Sequence, residues 1–133
     1  MSRTDYRNRA VRALQNLSVF ENVYDHKPDN LSGSVLASVH NAGMSIIQET
    51  RSTYTIQYMF FVMVFVRRMV GGGTTAETAI DELTEQCMFA LRDEFDDDFF
   101  SVERSVCGEP PPRDGASYRI EAFQFTVEHM IER

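Results

Sequence analysis

The most regular hydrophobic pattern in the chain runs from Tyr54 to Arg67, where every even-numbered position is apolar. The odd-numbered positions begin with polar Thr55 and Gln57 and are apolar from residue 59 to residue 65. Because successive side chains of a strand point to opposite faces of the sheet, this pattern predicts a strand. Its second half needs an apolar cover on both faces, and a single layer of helices covers only one.

Two other segments have the helical period. In the first, from about Thr4 to Leu17, apolar side chains share one stripe and Arg9 and Arg12 point away from it. The second follows the glycine run 71–73, where Thr74 and Glu77 have the spacing of a capping box. Its apolar stripe consists of Ala76, Ala79, Ile80, Leu83, Cys87, Ala90 and Leu91.

The polar side of the second predicted helix carries three residues of interest, Glu82, Glu85 and Phe89. We expect this helix to end near Asp96, Asp97 and Asp98, because adjacent carboxylates repel one another and are unfavourable at the negative end of the helix dipole.

The remaining strands are shorter or less regular. Residues 19–24 form an apolar run closed by turn residues, and residues 34–40 and 44–50 have the pattern of two strands joined by a turn at 41–43. Residues 118–131 predict a last strand, in which the apolar parity changes near Ala122 and suggests a bulge. Residues 101–117, which are rich in proline, read as an irregular loop.

These elements predict an α+β fold. The order is α-β-β-β-β-α-β, with a mixed, mainly antiparallel sheet of about four to five strands packed by two helices. At 133 residues, with 43% hydrophobic and 25% charged side chains, the chain is expected to form a single domain over residues 1–133.

Charge and composition exclude several classes of function. The net charge is -7, and residues 74–100 contribute nine acidic side chains and one basic one. An acidic surface repels phosphate, so no sequence-specific binding of nucleic acid is expected. The most apolar run, residues 58–66, is too short to span a bilayer, which takes about 20 residues. With two cysteines, Cys87 and Cys107, and no apparent signal peptide, a reducing cytosol is the expected compartment.

No motif for catalysis or for a cofactor is present. The acidic run 93–98 lacks the spacing of an EF-hand, the glycine run 71–73 lacks that of a phosphate loop, and the three histidines lie on separate elements. We therefore expect no enzyme, metal or cofactor. The alternative is a small α+β enzyme or ligand-binding module with a pocket at the sheet, where Tyr24, Tyr58 and His129 would supply polar groups.

A surplus of apolar surface is the main functional signal. Either the first helix and the loop 101–117 cover the second face of the central strand, or that face is an interface between copies, because an uncovered apolar strand promotes aggregation. The predicted interface residues on the sheet and the second helix are Met59, Phe61, Met63, Phe65 and Phe89.

Five segments together resemble a known family. They are the helix RNRAVRALQNL, the strand and turn VFENVYDHKPDNL, the strand YTIQYMFFVMVFVRR, the helix TAETAIDELTEQCMFALRDEF and the strand YRIEAFQFTVEH. In size and element order the chain is similar to the tail terminator and tail-completion proteins of long-tailed bacteriophages, the family of the phage lambda tail terminator.

The resemblance implies a structural virion protein. Its copies would form a ring, with a hexamer as the implied stoichiometry, at the head-proximal end of the tail tube, end the polymerisation of the tube and join tail to head. The implied partners are the chain itself, the tail tube protein and a head-completion or connector protein, with assembly in the host cytoplasm and no membrane.

A closed ring of identical copies needs two different complementary patches on each subunit. We expect the acidic second helix, with Glu82, Glu85 and Phe89, to form one patch together with the sheet residues. The basic first helix, with Arg9 and Arg12, would form the other. DNA is expected to pass through the ring, and the candidates for its channel or loops are Arg67, Arg68, Asp96, Asp97 and Asp98.

Overall fold

The computed structural model describes residues 2–68, 73–96, 99–104 and 118–132. They form two helices, α1 (Arg3–Gln15) and α2 (Gly73–Glu94). The five strands are β1 (Asn22–Tyr24), β2 (Val35–Glu49), β3 (Thr53–Arg67), β4 (Phe99–Arg104) and β5 (Tyr118–Glu132). The order is α-β-β-β-α-β-β, and the predicted α+β class is confirmed.

The five strands form one mixed sheet in the order β1-β2-β3-β5-β4. Only β1 runs parallel to its neighbour, and every other pair is antiparallel. The long strands β2, β3 and β5 therefore form the centre of the sheet, with two short strands, β1 and β4, beside them.

The turn predicted at residues 41–43 is wrong. Residues 35–49 form one strand, and the register against β3 shifts between Asn41 and Gly43, where one extra residue is inserted. A bulge accommodates such a residue without ending the ladder. Gly43 lies close to the Met59 side chain: a Cβ atom at this position would lie 2.9 Å from the methionine Cε.

Two expectations for the C-terminal half also need correction. The first residues of the predicted loop 101–117 belong to β4, and residues 105–117 lie outside the described part of the chain. The bulge expected near Ala122 is wrong, because β5 pairs with β3 without a register shift from Tyr118 to Glu132. The apolar parity changes along β5 because different faces of the sheet are covered along its length.

Both helices pack on one face of the sheet, which we call the helix face. The buried stripe of α1 includes Tyr6, Ala10 and Leu14, and that of α2 includes Ile80, Cys87 and Leu91, as the sequence predicted. Beneath them lie β3 and β5, where the Phe60 and Phe125 rings stack at 5.1 Å and the Phe95 and Phe125 rings at 5.7 Å.

Part of the opposite face is covered by the chain's own segment between β1 and β2. Leu31 from this segment packs with Leu36, Met63, Phe65 and Tyr118 in a second, smaller core. The Tyr118 hydroxyl donates a hydrogen bond of 2.6 Å to the Gly33 carbonyl oxygen and fixes the end of the segment.

Gly33 is required at the turn that brings the segment back to the sheet. Its φ is 120°, in the region that favours glycine, and a Cβ atom would lie 2.5 Å from a Glu21 carboxylate oxygen.

The sheet extends beyond its helices. A strand of 15 residues, such as β3, is about 50 Å long, whereas the 22 residues of α2 span about 33 Å. Glu77 near the start of α2 pairs with Arg119 near the start of β5, so the helix covers the end of the sheet where β5 begins. We call that part the covered end. The bare end consists of residues 44–49, 53–57 and 128–132.

Candidate functional site

Arg9 on α1 holds the two helices together within the subunit. Its Nε donates to a Glu94 carboxylate oxygen at 3.1 Å and one terminal nitrogen donates to the Glu94 carbonyl at 2.8 Å. Its guanidinium carbon lies 4.6 Å from the centroid of the Phe95 ring. The other predicted residue of this helix, Arg12, is exposed. Arg9 is therefore engaged within its own chain, and Arg12 is the one that faces outward.

The outer side of α2 carries the residues that the sequence placed there. Glu82 and Glu85 are exposed, and 55% of the Phe89 surface is accessible, although phenylalanine is usually buried. Together they form an acidic surface with one aromatic side chain at its centre. Because α1 and α2 lie side by side on the helix face, the basic and acidic helices are neighbours within one subunit.

The four apolar residues expected on the second face of β3 separate into two pairs. Met63 and Phe65 are buried, with 2% and 0% exposure, in the core closed by Leu31. They are therefore not on the surface of the subunit. Met59 and Phe61 are partly exposed, and the Phe61 ring lies 5.5 Å from that of His40.

The largest apolar exposure in the described residues lies at the bare end, which sequence reasoning missed. Met44, Ile46, Ile47 and Met130 are between 46% and 63% exposed. Met44 and Ile46 pair with Tyr58 and Ile56 on the helix face. Tyr6 of α1 contacts Tyr58, and the two β2 side chains stay exposed. The lengths of the predicted elements could have indicated this exposure, because the long predicted strand is longer than the second predicted helix.

The predicted channel residues are only partly within the described chain. Arg67, Arg68 and Asp96 are exposed, and Asp97 and Asp98 lie outside the described residues. Arg67 ends β3, and its backbone N–H donates to the Ser34 carbonyl. The two arginines lie at the covered end, at the opposite end of β3 from the bare end. Their role at a channel stays a prediction.

The three residues of the alternative pocket do not come together. Tyr58 and His129 lie on the helix face around Tyr6, whose hydroxyl is 3.1 Å from His129 Nδ1. Tyr24 packs near the smaller core on the other face, against the ring of His26. The sheet therefore separates Tyr24 from the other two.

An open cleft of about 430 Å³ lies along α1 and is lined by Asp5, Asn8, Arg9 and Arg12. Asp5 belongs to a capping box with Ser2, and hydrogen bonds from the Ser2 backbone and hydroxyl lower the pKa of its carboxyl. These contacts explain Asp5 as a helix cap. The second capping box, at Thr74, stays a prediction, because the Thr74 side chain is outside the described residues and Glu77 pairs with Arg119.

Cys87 lies in the core beneath α2. Burial raises the pKa of its thiol to about 12, which leaves it protonated and unreactive. Within the described ranges, no three side chains of His, Cys, Asp or Glu come together as ligands of a metal would. In the same ranges neither helix is long and apolar enough to span a bilayer.

No protein-family model and no curated protein matches the sequence. Among solved structures, the fold is similar to the sheath/tube terminator of an extracellular contractile injection system, PVC, determined by cryo-EM in the extended state. The TM-score is 0.56 with 9% sequence identity, and the match covers 95% of this chain. It covers 55% of the terminator, so this chain spans little more than half of that protein's length. At this identity the likeness shows a shared fold.

Proposed function

We propose that this chain is a terminator of a tail-like tube. Its copies form a ring at the head-proximal end of the tube, stop the tube from growing and join it to the next component, which in a bacteriophage is the head. The observation that carries this proposal is the similarity of nearly the whole fold to a protein named as a sheath/tube terminator. It agrees with the family that the sequence resembles.

The surface of the subunit supports a role in assembly. The bare end exposes four large apolar side chains, and Phe89 stands within an acidic helix surface. Exposed apolar side chains that cluster on a small protein mark sites of association. A closed ring needs two different complementary surfaces on each subunit, and contacts of this kind would bury the exposed side chains of the bare end and of the outer side of α2.

The first experiment measures the mass of the purified chain by size-exclusion chromatography with light scattering. We expect a closed oligomer, with a hexamer as the specific expectation, and ring-shaped particles by electron microscopy. A chain that stays monomeric up to about 100 μM would contradict the ring, since stable interfaces associate well below this concentration.

The matched variants are Phe89→Asp and Arg92→Asp, which both add an acidic side chain to the exposed side of α2. We expect Phe89→Asp to shift the chain to monomers, because it places a charge in an apolar contact. Arg92→Asp serves as the control for added negative charge. Equal dissociation by both would assign the contact to electrostatics and remove Phe89 from the interface.

The terminator activity itself needs the tube protein, which is to be sought among the products of neighbouring genes. Tubes polymerised with the wild-type ring should be short and carry a ring at one end in electron micrographs. Tubes of unchanged length with no bound ring would reject a terminator and leave a different ring protein.

A further inference from the structure

The sheet has two edges that lack a strand neighbour among the described residues. At one side, the three residues of β1 pair with residues 36–38 of β2. Residues 39–49 of β2 therefore have no described strand beside the edge that points away from β3. At the other side, β4 pairs with β5 alone. Backbone groups along such edges are ready to pair with another chain.

The two edges lie at the same height in the sheet. Phe99 of β4 pairs with Glu128, which pairs with Gln57, which pairs with Ser45 of β2. By the same steps across β5 and β3, Arg104 is level with Val39. The six residues of β4 are therefore level with residues 39–45 of β2, directly beyond the part that β1 covers.

The directions of the edges are also complementary. Each of the steps from β2 to β3, β5 and β4 is antiparallel, so β4 runs opposite to β2. A second copy in the same orientation, with its β4 beside this β2, forms an antiparallel pair. The end of that β4, Arg104, is level with Val39, and the last residue of β1, Tyr24, pairs with the preceding Ser38, so the two strands do not compete for the same stretch of β2.

The alternation of inward and outward backbone hydrogen-bonding groups also matches between the two edges. The Arg67 N–H donates to the Ser34 carbonyl, which sets the alternation along the antiparallel strands. Allowing for the bulge at 41–43, this alternation turns the backbone groups of Val39, Asn41 and Met44 away from β3. On β4 it turns those of Phe100, Val102 and Arg104 away from β5. Each outward group of one edge is level with an outward group of the other.

We infer that β4 of one copy pairs with residues 39–45 of β2 in the next, so that the sheets of the subunits continue head to tail. This inference rests on the proposed ring and names the contact that closes it. The two edges are different surfaces, as a heterologous ring contact requires, and closure leaves neither of them free. The pairing places exposed Val102 level with exposed Asn41 and diagonal to exposed Met44, all on the helix face.

The test removes one outward N–H from each edge by proline substitution. Val102→Pro and Met44→Pro fall where a strand tolerates proline, because the missing N–H faces solvent within the subunit. Val102→Thr and Met44→Thr are the controls, since they keep the backbone N–H while they remove the apolar side chain. Circular dichroism and thermal unfolding report whether each variant folds.

We expect each proline variant to fold and to associate at least about tenfold more weakly than its threonine control, measured by analytical ultracentrifugation. A proline variant that assembles like its control would overturn the edge pairing and leave the ring intact. A wild-type chain that is monomeric would overturn the ring itself, so the two failures are distinguishable. If a proline variant does not fold, a second measurement decides.

That measurement is a cross-link between copies that each carry one new cysteine, Asn41→Cys or Val102→Cys, in a Cys107→Ser background. A flexible bis-maleimide with a reach of about 7 Å tolerates a slip of two residues along the strands. We expect a covalent dimer from the mixture of the two variants and none from either alone. A product from one variant by itself, or none from an assembled mixture, would overturn the head-to-tail pairing.

Discussion

The covered end and the bare end of one sheet differ in what lies on them. At the covered end, β3 is buried on both faces, by the helices on one side and by the segment carrying Leu31 on the other. At the bare end α1 reaches the helix face through the contact of Tyr6 with His129, and Met44, Ile46 and Met130 on the strands beside β3 are more than half exposed. The ladder itself continues without interruption between β3 and β5.

The difference separates folding from association. The covered end contains the large, fully buried side chains and accounts for the stability of the subunit. The bare end keeps its strand structure through hydrogen bonds to its neighbours and exposes apolar area whose burial awaits a partner. Mutations at the two ends should therefore affect different measurements.

The largest contrast is expected from truncating a buried ring. Phe60→Ala leaves a cavity next to Phe125 and should lower the free energy of unfolding by about 3–5 kcal/mol, with a fall in Tm on the order of 10 °C. Ile46→Ala at the bare end should change it by about 0.5 kcal/mol or less in the monomer. Urea unfolding at a concentration that keeps the chain monomeric measures both. Similar losses at the two ends would abolish the distinction.

A smaller contrast is expected from pH. Since the folded pKa of Cys87 is about 12 and the unfolded value is 9.0, the unfolded chain loses this proton first as pH rises. The stability is therefore intact below pH 9 and falls by about 1.4 kcal/mol per pH unit between the two values. Denaturant unfolding as a function of pH measures the slope.

The control for the pH prediction is Cys87→Ala, which should lose this part of the slope while other groups titrate as before. A cysteine introduced by Ile46→Cys should react readily with a thiol reagent in the native state, whereas Cys87 should react only on unfolding. Rapid native reaction of Cys87 would show that α2 does not seal this part of the core.

The smallest effect is expected at the boundary of the two ends, where Arg9 ties α1 to the end of α2. Arg9→Ala removes two hydrogen bonds and the contact with the Phe95 ring, and should cost about 1–2 kcal/mol of folding free energy. Arg12→Ala, on an exposed side chain of the same helix, should be nearly neutral. Equal effects of the two substitutions would mean that Arg9 does not hold the helices together.

The helices and the central strand could be predicted because their periods are local. The stripe of α1 through Tyr6, Ala10 and Leu14 and the exposure of Phe89 follow from the helical repeat alone. The parity of residues 54–67 predicted a strand with two apolar faces. The prediction that its second half is covered on both faces is also confirmed for the part that contains Met63 and Phe65.

The nature of that cover could not be predicted, because it depends on contacts distant in sequence. The sequence analysis considered α1, the loop 101–117 or a second copy, whereas the segment before β2 covers Met63 and Phe65. The bulge in β2 was mistaken for a turn because Asn41 and Gly43 are common turn residues. The partner strand β3, which extends the ladder past them, decides otherwise.

The amino-acid sequence by itself determined which segments are helices and strands, which stripe of each is apolar, and that the chain has more apolar strand surface than two helices cover. These properties follow from side-chain periods that span a few residues. Only the tertiary structure decided where the surplus lies, because the lengths of helix and strand must be laid side by side. It also brought β4 level with the free part of β2, since strand order and register are set by long-range pairing.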